Sequence, residues 1–85
     1  MMPERRILSY VVADDTALGS RVSVTDREIE VLKWTGDGKT SRDISEILII
    51  SVDTVNFHVK NAILKLKTAN KTAAVVRAAM LGLLN

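Results

Sequence analysis

The chain has 85 residues, 26% of them charged, a formal net charge of +2, no cysteine and one histidine. Disulfides and thiolate–metal sites are therefore excluded, His58 cannot build a His-based zinc site alone, and no cofactor is called for. No apolar run approaches the ~20 residues of a membrane span, and Arg5 and Arg6 are not followed by a signal- or transit-peptide pattern, so the expectation is one small cytoplasmic domain.

So short a chain buries a modest core, and a partner subunit would help to hold it. The net charge is too weak to argue for nucleic acid, but its distribution is uneven. Residues 1–24 are neutral, residues 25–50 carry −2, and residues 51–85 carry +4 through Lys60, Lys65, Lys67, Lys71 and Arg77 against Asp53. That suits a localised DNA-facing patch. It equally suits a solvated lysine face of the kind most helical proteins carry.

Residues 1–24 read as an N-terminal arm or linker, and residues 25–85 as the folded domain. Ile7-Leu8-Ser9-Tyr10-Val11-Val12 is rich in β-branched and aromatic residues and predicts a short strand, which needs something to pair with. Asp14-Asp15-Thr16 and Gly19-Ser20 read as turn and linker.

Four helices are predicted next. Thr25-Asp26-Arg27-Glu28 has the form of a capping box, with Ile29, Leu32 and Trp34 facing the core. Gly36-Asp37-Gly38 stops that helix. Thr40 or Ser41 caps a short second helix whose apolar side is Ile44, Ile47 and Leu48, and Ile49-Ile50 forms a turn. The third helix runs from about Ser51 to Lys65 or Leu66. Val55, Val59, Ala62 and Leu66 recur at core spacing, while Asn56, Lys60 and Asn61 fall on another side and suit base edges and phosphates. A short helix, a tight turn and such a helix are what a helix-turn-helix needs. Asn70 caps a fourth helix, from Lys71 to about Leu84. It is apolar around nearly its whole circumference, so a second subunit is expected on its outer side.

Residues 25–84 resemble the LuxR-type (GerE-like) helix-turn-helix domain of bacterial transcription regulators. The matching pieces are Thr25-Asp26-Arg27-Glu28-Ile29-Glu30-Val31-Leu32, Gly38-Lys39-Thr40-Ser41, Ile50-Ser51-x-x-Thr54-Val55-x-x-His58-x-x-Asn61, Lys65-Leu66 and Asn70-Lys71-Thr72. The stretches Lys33 to Ser41 and Thr54 to His58 look most like the quorum-sensing branch. The resemblance implies an all-α, four-helix domain behind a short extended arm, with the third helix in the major groove. It implies base contacts from Asn56, Phe57 and Lys60. It implies phosphate contacts from Lys39, Thr40, Thr54, His58, Asn61 and Lys65. It also implies a homodimer through the fourth helix, for which Val76, Ala79, Met80 and Leu83 are the candidates.

Several residues depart from that pattern. Ser45 replaces a usual Ala. Ile63 and Leu64 replace polar residues and are expected to add apolar surface. Thr68 replaces an apolar residue. Asn56 stands where an Arg is common, so the preferred bases can differ. The signal-binding domain of quorum receptors and the receiver domain of response regulators have no counterpart in residues 1–24. A stand-alone regulator, a shortened relative or a piece of a longer protein all fit.

Each site residue has a competing structural role. Asn56 suits bidentate reading of adenine, Lys60 suits guanine or a phosphate, and both can be ordinary surface residues. Phe57 can touch a thymine methyl or pack on the domain edge. His58 has no partner that would make it a general base, and a half-buried structural histidine rivals its phosphate role. Thr40 and Thr54 can cap helices as well as meet phosphates. Glu28 reads as structural. With no catalytic constellation, the expectation is not an enzyme but a dimeric regulator that binds double-stranded DNA, with RNA polymerase or a full-length LuxR-type relative as further partners. The rival is a shortened regulator that forms mixed dimers with such a relative.

Overall fold

The computed structural model describes residues 9–13 and 21–85. Positions 7–8 of the expected strand, and the expected turn and linker residues at 14–16 and 19–20, lie outside them. Two strands, β1 (Ser9–Ala13) and β2 (Arg21–Thr25), precede four helices: α1 (Asp26–Gly36), α2 (Ser41–Leu48), α3 (Val52–Lys65) and α4 (Lys71–Met80).

The strands pair antiparallel, with Ser9 opposite Thr25 and Val11 opposite Ser23. The arm thus finds its partner within the chain, in a strand the sequence reading passed over. Arg21-Val22-Ser23-Val24-Thr25 alternates polar and β-branched residues, the period of a half-buried strand. Val24 is fully buried among helix residues, which ties the hairpin to the helical body.

The helix starts follow the sequence closely. Thr25 accepts from the Glu28 backbone N–H at 3.2 Å, and the Glu28 carboxylate accepts from Thr25 N–H at 3.0 Å, a complete capping box. Thr40 and Asp43 build a second one at α2. Ser51 and Asn70 each accept from the N–H three residues on, starting α3 and α4. Each such cap contributes about 1 kcal/mol by satisfying an otherwise unpaired donor.

Three helix ends share one closure. Ile50, Thr68 and Leu83 N–H donate back to Ser45, Ile63 and Ala78 carbonyls, and the residue before each has positive φ: Ile49, Lys67 and Gly82. This is the Schellman arrangement. It also ends α4 earlier than expected. Gly82 (φ 77°) turns the chain at Met80, and Leu83 and Leu84 fold back, half-buried, against the core.

The core has two parts, with α1 between them. Val24, Ile29, Leu32, Ala62, Leu66, Ala74 and Ala78 join β2, α1, α3 and α4. Val31, Ile44, Val55 and Val59 join α1, α2 and α3, flanked by Trp34, Leu48 and Ile50. Ile63 packs against both parts. The expectation that it adds surface is corrected, because it bridges the two halves of the core. Leu64 is 65% exposed, and Ile47, expected on the apolar side of α2, is 42% exposed. At Gly36 a Cβ would stand 3.2 Å from Val75 Cγ1, a tight contact that the missing side chain avoids where α4 packs on α1. Among the described residues no single helix is long and apolar enough to cross a membrane.

Candidate nucleic-acid interface

The chain bends by 109° between α2 and α3. Helix-turn-helix pairs meet at about 90–120°. The buried stripe of α3 (Val55, Val59, Ala62) and its cap residue Leu66 hold it against α1, α2 and α4, which leaves the opposite side free. Asn56, Phe57 and Lys60 are all exposed there. Lys60 stands four residues after Asn56 and three after Phe57, so its side chain lies between theirs on one side of the helix. The three expected base-reading residues therefore share one open face, and their tips are an amide, a ring and an ammonium.

Phe57 is 60% exposed, with its ring edge-on to His58 at 5.8 Å between centroids and 63° between planes. His58 is half-buried. Burial pushes its imidazole below the ordinary value of 6.5; the Glu28 charge opposes this, while Arg27 and Lys65 reinforce it. A neutral imidazole still carries one ring N–H that can donate to a phosphate oxygen. Asn61 is half-buried beside this face.

Of the expected phosphate residues before and at the start of α3, Thr40 and Thr54 also have local duties. Lys39 is exposed just ahead of α2, and Thr40 caps that helix. Thr54 Oγ1 lies 2.8 Å from Ser51 Oγ. Asp43, tied to the Thr40 backbone and side chain, keeps its carboxyl below the ordinary range, so the first turn of α2 carries an anion as well as Lys39.

Lys65 stands elsewhere. Its Nζ donates to both carboxylate oxygens of Glu28, at 2.9 and 3.0 Å. Glu28 is almost fully buried and Lys65 half-buried. Glu28 thus does more than cap α1. The pair spans 37 positions, and no local pattern announces it. Ser41, expected only as an alternative cap of α2, has another role: Thr40 is the cap, and the Ser41 Oγ donates to Asn56 Oδ1 at 2.8 Å, joining the first turn of α2 to the reading face.

On α4, Val76 is exposed, as are Ala79 and Met80 three and four residues after it, and Leu81 is 44% exposed just beyond. Leu83, expected with them, lies past the end of the helix and packs on this chain's own core. Among the described residues no group of three or more His, Cys, Asp or Glu side chains is arranged to hold a metal.

The family described as bacterial regulatory proteins, luxR family (GerE), matches residues 22–78. The chain is 55% identical over 65 residues to the transcriptional activator protein SolR of Ralstonia nicotianae, covering 76% of this chain and 28% of SolR. It is 49% identical over 67 residues to the HTH-type quorum-sensing regulator RhlR of Pseudomonas aeruginosa, covering 79% of this chain and 28% of RhlR. The chain therefore spans little more than a quarter of the length of these relatives. The solved structure of the transcription factor GerE superimposes with a TM-score of 0.69 at 34% identity, over 72% of this chain and 91% of GerE.

Proposed function

Because the chain belongs to the luxR family of bacterial regulatory proteins, we propose that it binds double-stranded DNA in a sequence-specific manner as a dimer and regulates transcription in the cytoplasm. One observation carries this reading: α3 is buried along Val55, Val59 and Ala62, and presents Asn56, Phe57 and Lys60 on its open side. A helix held that way can enter a major groove and set those tips against base edges. Lys39, Thr40, Thr54, His58 and Asn61 flank the face and meet phosphates, which fix register without reading sequence. Val76, Ala79 and Met80 form the dimer contact, placing two α3 helices on half-sites roughly 10 bp apart, or a multiple of that spacing. RNA polymerase is the further partner this role implies.

The kinship with quorum-sensing regulators and the exposed Leu64 and Met80 support a second reading, in which the chain pairs through α4 with a full-length relative and blocks it. Fluorescence anisotropy separates the two. The purified chain is titrated against a two-fold symmetric duplex selected from a random pool and against a scrambled duplex, at two salt concentrations. Tight, salt-steep binding to the selected site alone supports the DNA-binding dimer. Equal and weak binding to both duplexes rejects it and favours the mixed dimer.

A further inference from the structure

Thr40 already caps α2, so the hydroxyl of Ser41, the first residue of that helix, is spare. It does not turn back to its own helix as Ser45 does, whose Oγ donates to the Arg42 carbonyl. Instead it reaches across to α3 and donates to Asn56 Oδ1 at 2.8 Å. Asn56 is exposed on the face with Phe57 and Lys60.

An asparagine amide is planar, with an acceptor oxygen on one arm and two donor hydrogens on the other. Adenine is read when both arms meet its edge together, the oxygen taking the N6 hydrogen and the nitrogen donating to N7. With its oxygen held toward α2, Asn56 leads with its NH2. A donor of that kind fits the acceptor-only edges of guanine (O6, N7) and thymine (O4).

We propose that Ser41 is a specificity-determining residue: by holding Asn56 Oδ1, it turns Asn56 from an adenine reader into a donor that favours guanine or thymine. The inference rests on the DNA-binding reading above. Ser41 acts through Asn56 and touches no base itself.

The test is selection from a duplex pool randomised across one half-site, with the bound DNA sequenced for the wild-type chain and for N56A, S41A and S41T. The column that loses its preference in N56A identifies the base pair read by Asn56. In the wild type that column favours guanine or thymine. In S41A it moves toward adenine by at least about fivefold, the size of change that gaining a paired contact gives. S41T keeps a hydroxyl and retains the wild-type base. An S41A column identical to that of the wild type overturns the proposal, as does uniform weakening across all sequences, which would make Ser41 a phosphate contact. If the wild type selects no sequence at all, the DNA-reading function itself fails and takes this inference with it. That result is visible before any variant is compared.

Discussion

The Lys65 ammonium bridges both carboxylate oxygens of Glu28, locking the last turn of α3 onto the first turn of α1. Glu28 is 3% exposed, and the same carboxylate receives the Thr25 N–H. Removing the lysine strands a buried carboxylate, whereas removing the carboxylate lets the half-exposed lysine swing to water. Lys65→Met is therefore expected to cost about 3 kcal/mol, near the low end for breaking a buried pair, and Glu28→Gln clearly less. Urea unfolding of both single variants and the double variant checks this. Losses under about 0.5 kcal/mol in each single variant would put the pair among ordinary surface bridges.

The same pair marks where sequence reasoning stops. Helix starts were legible because a cap and its partner lie three residues apart, as at Thr25 and Glu28 or Thr40 and Asp43. The buried stripe of α3 was legible because its period is local. Glu28 and Lys65, or Ser41 and Asn56, meet only once the helices have packed, so nothing near either residue signals the contact. β2 was missed although its alternation was visible, because the turn residues before it drew it into a linker. The end of α4 was misread because apolar residues continue past it. Gly82 redirects Leu83 and Leu84 into the core, and the hydrophobic pattern does not distinguish that from more helix.

His58 makes stability depend on pH in one direction. Burial holds its folded-state pKa below the ordinary 6.5, so on acidification the unfolded chain takes up the proton first. Stability rises with pH wherever the unfolded state binds more protons. The contribution is therefore complete above 6.5 and is lost as pH falls through the folded value. Asp43 acts in the same direction, but only below its ordinary 3.8. The His58→Gln variant is expected to flatten the loss of stability between about pH 7 and about pH 5. Thermal unfolding across that range checks it, and an unchanged slope would clear His58 of the effect.

Ile49 is a β-branched residue at φ 58°, ψ 52°, and it is 87% exposed. A left-handed backbone costs such a residue about 1–2 kcal/mol, and its exposed side chain recovers little by packing. Asparagine tolerates that conformation and avoids the extra unfolded-state entropy that glycine would bring. Ile49→Asn should raise stability by about 1 kcal/mol, and Ile49→Gly by less. The observation that would sink this is a lower denaturation midpoint for Ile49→Asn, which would mean that the isoleucine packs against something in solution.

Met80 is 81% exposed and stands on one strip with Val76 and Ala79. A charge there costs the isolated fold within about 0.5 kcal/mol, the usual range for surface positions. Buried in a dimer contact, the same charge is left unpaired and desolvated, which costs several times more. Met80→Glu is expected to keep the circular dichroism spectrum and to weaken self-association at least about tenfold, which corresponds to about 1.4 kcal/mol. Sedimentation velocity over a concentration series decides this, and wild-type behaviour would move the dimer contact off α4.

Lys60 separates reading a base from holding a phosphate. It is exposed on α3, one turn beyond Asn56, and carries three donors at the end of a flexible stem. If it meets guanine, Lys60→Ala costs about 1–3 kcal/mol at the preferred site and relaxes preference at one base pair. If it meets a phosphate, the loss is uniform across sequences and the slope of log affinity against log salt shrinks by about 1. Its place on the strip with Asn56 and Phe57, on the side of α3 away from the core, favours the base contact. Anisotropy titrations of both proteins on the preferred site and on single-base variants, at several salt concentrations, give both quantities from one data set. A large loss confined to one base pair is the expected result, and a uniform loss with a smaller slope would reassign Lys60 to the backbone.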